Sequence, residues 1–115
     1  MARRPQNRDA MAELGSKLSA LRAKLPPDQQ KWRTLTEAIV NTTGASISVE
    51  QVRRMHAALV DPTTCQPEHL WAMVEFYRVT TADLGRFTEV RLANLRELAQ
   101  NWKKMRGRDL PRSAA

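Results

Sequence analysis

At 115 residues the chain has the size of one compact domain built around a single core. Its 42% apolar and 27% charged residues exclude a fibrous repeat and wholesale disorder, and no apolar run approaches the roughly 20 residues that cross a bilayer as a helix. Nineteen Lys and Arg against 12 Asp and Glu leave a net charge of +7, which favours polyanionic partners, nucleic acid above all. The basic excess sits towards both ends. Residues 1–25 carry six basic and two acidic side chains and residues 87–115 seven and three, whereas residues 61–86 carry two and four. Basic tails that serve only solubility give the same distribution, so a specific reading has to come from the middle of the chain.

In chain order, helical periods run almost throughout and no strand alternation competes with them, which predicts an all-α fold. Met11, Leu14, Leu18, Leu21 and Leu25 recur at spacings of three and four on one face of a first helix, with Glu13, Lys17, Arg22 and Lys24 on the other. Pro26 and Pro27 stop it. After the polar connector PPDQQKWR, Thr34 and Glu37 match a capping box opening a second helix, with Leu35, Ala38 and Ile39 as its apolar face and Gly44 at its end. Ala45, Ser46 and Ile47 form a tight connector. Ser48 and Gln51 make another capping-box pair at the head of a third helix over 48–59, with Val52, Met55 and Leu59 facing inward.

Asp61-Pro62 and Gln66-Pro67 mark an irregular connection, and Pro67 suits the first position of a fourth helix whose apolar face is Leu70, Met73, Val74 and Tyr77. Thr80 and Asp83 can cap the next helical turn. A longer C-terminal amphipathic helix is expected over 85–106, with Leu95, Leu98, Trp102 and Met105 spaced three, four and three. Residues 1–8 read as a flexible basic arm and 107–115 as a flexible tail.

Enzymatic chemistry has little to stand on. Cys65 and His69 stand at a C-x3-H spacing with His56 upstream, but a zinc site normally takes four ligands, and the chain has neither a second Cys nor a third His. Glycine-rich phosphate loops are missing from the sequence, and carboxylates such as Glu75 and Asp83 are scattered at helix-surface positions. No catalytic residue, metal or cofactor is expected, and the sequence identifies no small-molecule effector. Trp32, Trp71 and Trp102 are expected to pack in a core or interface rather than to stack on bases. The lone Cys65 excludes an internal disulfide, and the start MARRPQNRD lacks the apolar stretch of a secretory signal, so a cytoplasmic protein is expected.

A short helix, a tight turn through Gly44 to Ile47, and a second short helix form the pattern of a helix-turn-helix, whose second helix enters a DNA major groove. Gly44 can take a positive φ at the corner, and Ile47 can plug the core beneath the turn. The open side of the third helix then shows Ser48, Val49, Glu50, Arg53 and Arg54. Arg can donate two hydrogen bonds to guanine, Glu can accept from cytosine, and Val can touch a thymine methyl. Two exposed arginines are more often a solvated surface than a reading head, so it is the spacing around them that favours DNA.

These residues also carry a family resemblance. From about Leu14 to Leu84, a long first helix, TLTEAIVNTTGASISVEQVRRM, a Pro-containing connection and LWAMVEFYRVTTADL resemble the phage-repressor-like, or XRE-type, helix-turn-helix domains. Within that group, the stretch through GASIS to the FYRV ending is similar to nucleoid-associated dimeric regulators of mycobacterial secretion genes. Two features depart from the family: the connector PPDQQKWR is longer than in compact repressors, and the Gly usual after the recognition helix is replaced around Ala58. The resemblance implies base contacts by Val49, Glu50 and Arg54, and phosphate or flanking contacts by Ser48 and Arg53. It also places Lys31, Arg33 and Thr34, at the start of the second helix, against phosphates, where the helix dipole adds to the side chains. Arg3, Arg4 and Arg8 in the arm could follow phosphates or enter a minor groove.

The expectation is a five-helix, repressor-like helix-turn-helix domain over 9–84 that binds double-stranded DNA as a transcriptional repressor, located with the nucleoid. The stripe of Leu95, Leu98, Trp102 and Met105 cannot be buried by one helix alone, which predicts either a homodimer or closure onto the domain's own core. On this division a chain cut near Val90 keeps a folded core. The competing expectation is a protein-interaction module, such as an antitoxin or a regulator-binding adaptor, on the same helical fold. DNA binding requires the Val49 to Arg54 face to be open and positive, whereas an adaptor would have an apolar groove there or elsewhere.

Overall fold

The computed structural model describes residues 7–95, and among them it holds five α-helices and no strand: α1 (Arg8–Ala23), α2 (Trp32–Thr43), α3 (Val49–His56), α4 (Pro67–Tyr77) and α5 (Arg86–Ala93). The fold is all-α, and none of these helices is long and apolar enough to cross a membrane. Short 3-10 turns at Pro27–Gln30 and Thr81–Leu84 join α1 to α2 and α4 to α5. Leu14 and Leu18 of α1, Leu35 and Ile39 of α2, Val52 and Met55 of α3, and Leu70 and Met73 of α4 converge on one fully buried cluster. Burying each side chain of this size contributes about 1.5–3 kcal/mol.

Local signals set most of the ends. The Asn7 side chain accepts from the Ala10 amide to start α1, Pro67 opens α4, and Thr80 and Asp83 form a reciprocal capping box. The start of α2 differs from expectation. It begins at Trp32, two residues ahead of Thr34, with Lys31 in the capping position and no side-chain cap. Thr34 is therefore an exposed residue inside the helix. Trp32 packs edge-on against His56 with ring centroids 5.4 Å apart, and the Arg22 guanidinium lies 3.8 Å over its indole; these contacts fix the first turn against the weaker pull of a local capping pair. In α1 the inward positions include Ala10 and Gly15 as well as Leu14 and Leu18, while Met11 is only half-buried.

The boundaries at both ends of the domain shift. Arg8, expected in the arm, is the first residue of α1. At the other end Leu92 is fully buried in the common core, Arg91 donates to the Pro62 carbonyl at 2.8 Å, and Glu13 of α1 accepts from the Phe87 amide at the uncapped start of α5. The core thus extends past Leu84, and a cut near Val90 would remove part of it. Helix α5 ends at Ala93 with Asn94 as its C-cap, and Leu95 lies half-buried in the turn beyond. The remainder of the expected C-terminal helix, with Leu98, Trp102 and Met105, lies outside the described residues.

Candidate nucleic-acid interface

The corner between α2 and α3 is built by five residues that the sequence marks and two that it does not. Gly44 closes α2 in the left-handed region (φ 73°) and its amide bonds to the Val40 carbonyl. Ala45 and Ile47 beneath it are buried, and Ser48 opens α3 with a complete capping box: its Oγ accepts from the Gln51 amide at 3.1 Å while Gln51 Oε1 accepts from the Ser48 amide at 2.9 Å. Glu68 and His69 of α4 then grip Ser46 from the far side. The Glu68 carboxylate accepts from its amide at 3.1 Å, and His69 Nε2 lies 3.2 Å from its carbonyl oxygen. Sequence reasoning missed these two residues because a bond across 22 positions leaves no trace in local spacing.

Helix α3 has one buried face, formed by Val52, Met55 and His56. The 3.6-residue period therefore leaves Val49, Glu50, Arg53 and Arg54 together on the outward side. Val49 is 40% exposed, and Glu50 and Arg54 are open to solvent. Glu50 near the start and Arg53 and Arg54 in the last turn complement the helix dipole. Glu50 and Arg53 are also joined to each other as an exposed ion pair, with Arg53 Nε 3.3 Å from the Glu50 carboxylate. The Arg53 hydrogen bond holds the Glu50 carboxyl below its ordinary range, and the same bond raises the arginine further. In the free protein Glu50 is thus engaged by its own helix, and Arg54 presents its guanidinium beside that pair.

The end of α3 shows how Ala58 stands where the resemblance leads one to expect a glycine. Leu59 N–H bonds to the Arg54 carbonyl at 3.0 Å and Ala57 N–H to the Arg53 carbonyl, a Schellman-type ending that needs a left-handed residue between. Ala58 takes that conformation at φ 61°, so the glycine-like geometry persists without glycine. The reversal carries Leu59 off the buried face and leaves it 43% exposed, so the expectation of an inward Leu59 does not hold and α3 ends at His56 rather than near 59.

Lys31, Arg33 and Thr34 are exposed at the start of α2, and the Trp32 to His56 contact brings that start to the last turn of α3. Arg8 is exposed and lines a shallow groove with Met11, Ala12 and Ala58, next to the end of α3. Arg3 and Arg4 lie outside the described residues. The candidate zinc set is spread apart by its bonding: His56 engages Val52 and Tyr77, His69 engages Ser46, and burial raises the Cys65 thiol beside Arg91. Among the described residues no three His, Cys, Asp or Glu side chains are grouped as metal ligands. Trp71, like Trp32, is partly buried against the core. Neither a family model, a curated protein nor a solved structure significantly matches the chain.

Proposed function

We propose that this chain is a phage-repressor-like, sequence-specific double-stranded DNA-binding regulator that acts as a transcriptional repressor, with α3 lying in the major groove. The observation that carries this reading is the α2 to α3 corner. A doubly gripped turn presents a short helix whose outward face sets Val49 among Glu50, Arg53 and Arg54 and whose inward face is locked into the core. Arg54 and Val49 read base edges, Glu50 and Arg53 act as a coupled pair at the groove, and Ser48 flanks them. Lys31, Arg33 and Thr34 meet backbone phosphates beside the α2 N-terminus, with Arg8 as a further phosphate contact. Two copies associated through the Leu95, Leu98, Trp102 and Met105 stripe would match the two-fold operators that such dimers read, and binding of this kind places the protein on the nucleoid.

The test is genome-wide mapping of bound sites, followed by titration of a recovered duplex over a range of salt. A set of sites sharing one motif, with affinity falling by several powers in a log–log plot against salt, is expected from several phosphate contacts. Failure to bind any genomic fragment at low salt refutes the reading and favours a protein partner.

A further inference from the structure

We propose that His56 is a positioning residue of the DNA-facing surface: its neutral ring ties the start of α2 to the end of α3, and protonation of that ring weakens DNA binding. The inference rests on the DNA-binding reading above and adds to it a named brace and a pH response.

His56 is the last residue of α3 and is only 4% exposed. Its Nδ1 lies 2.7 Å from the Val52 carbonyl oxygen, which can only accept, so Nδ1 carries the hydrogen and donates it. In the neutral ring Nε2 is then an acceptor, and the Tyr77 hydroxyl of α4 donates to it at 2.8 Å. Trp32 meets the ring edge-on from α2, and the Ser19 hydroxyl of α1 donates to the His56 carbonyl at 2.7 Å. One residue therefore joins the reading helix to three neighbouring helices. The direct neighbours of Trp32 are Lys31 and Arg33, and His56 follows Arg53 and Arg54 by three and two positions. A shift of the ring changes the spacing between the two groups assigned to the DNA.

The surroundings favour the neutral form. From α1 the Arg22 guanidinium caps the Trp32 ring and donates to the Gln30 carbonyl at 2.8 Å; from α4 comes the Tyr77 phenol, which burial keeps protonated; α2 contributes the uncharged Trp32. Both ring nitrogens are already taken by neutral partners. Burial first, and the Arg22 charge with it, hold the imidazole below its ordinary value against the opposing pull of the Val52 carbonyl. A second proton would sit on Nε2, facing the Tyr77 oxygen. The hydroxyl would have to turn from donor to acceptor, and a buried cation would stand near Arg22. Moving the ring towards water relieves both costs and separates the start of α2 from the end of α3.

The experiment measures anisotropy of a labelled genomic duplex, recovered by the full chain, at constant ionic strength and with circular dichroism at each pH. Native affinity is expected to hold level down to about pH 6.5 and to have fallen about threefold or more by about pH 5 while helicity is kept, against a linkage ceiling of about tenfold per pH unit. His56→Gln, which can still accept from Tyr77, is expected to bind at neutral pH with a profile flat to within about twofold. The His56 ring resonances of the native chain supply a readout that needs no variant: because linkage is reciprocal, DNA must lower the His56 midpoint if DNA prefers the neutral ring. Parallel pH profiles for native and His56→Gln, or an unchanged His56 midpoint on saturation with DNA, overturn the proposal while leaving DNA binding intact. Failure of the native chain to bind any duplex at neutral pH and low salt overturns the DNA reading itself, and the proposal with it.

Discussion

Gly15 is the position where a single methyl group has the best-defined consequence. It lies buried in the middle of α1, and a Cβ built there meets the Cα, Cβ and amide nitrogen of Ala58 at 2.6 Å. Two of those three atoms are backbone, so no side-chain rotation relieves the overlap, and α1 and the end of α3 must separate by nearly 1 Å to restore ordinary contact. In an open helix interior Gly→Ala stabilises by about 1 kcal/mol. Overpacking a close helix contact costs about 1–3 kcal/mol, and a backbone clash in a locked Schellman turn belongs at or beyond the upper end of that range. The net expectation for Gly15→Ala is a loss of about 2 kcal/mol or more, which in a domain of this size lowers Tm by roughly 8–16 °C or more. Thermal unfolding followed by circular dichroism, with urea titration for the free energy, measures it. A Tm equal to or above that of the native chain would show that α1 and the Ala58 turn are not this close in solution.

Ala58→Gly should stabilise by about 0.5 kcal/mol, because the left-handed penalty of about 1–2 kcal/mol is relieved and partly offset by greater freedom of the unfolded chain; urea midpoints decide, and a clear loss refutes it. The lowered His56 value fixes the sign of one pH effect: the unfolded chain takes up the proton first, so stability is fully present above about pH 6.5 and declines below it, by at most about 1.4 kcal/mol per unit, until the folded ring also titrates. His56→Gln should remove that component of the pH–stability profile. Arg54→Ala should cost about 1–3 kcal/mol of discrimination between the preferred site and random DNA, whereas removing Arg3 and Arg4 should weaken both alike; equal losses from Arg54→Ala would make it a phosphate contact. For the proposed dimer, Leu98→Asp with Trp102→Ala should give monomers in sedimentation with helicity retained. Truncation for the same purpose belongs after Leu95, since Leu92 is core.

The elements that the sequence determined are those whose signals lie within one turn of the chain. Pro67 has a fixed φ that suits the first position of α4, Gly44 takes the left-handed corner, and Ser48 with Gln51 closes its own capping box, so each of these boundaries follows from groups within one turn, whereas α1 ends at Ala23, ahead of Leu25 and Pro26. The inward Val52 and Met55 and the outward Val49, Glu50, Arg53 and Arg54 follow from the helical period in the same way. Tertiary structure alone decided where two signals competed or where partners lay far apart in sequence. Thr34 and Glu37 are a sound local cap, yet Trp32 between Arg22 and His56 starts α2 a half-turn earlier. The turn before α3 is held by Glu68 and His69, and the end of α3 by Tyr77, across separations of more than 20 residues, and Leu92 joins the core only because α5 folds back on α1 and α4. Such contacts depend on the directions in which packed helices cross, and a periodic pattern fixes which face of a helix is buried but not what it is buried against.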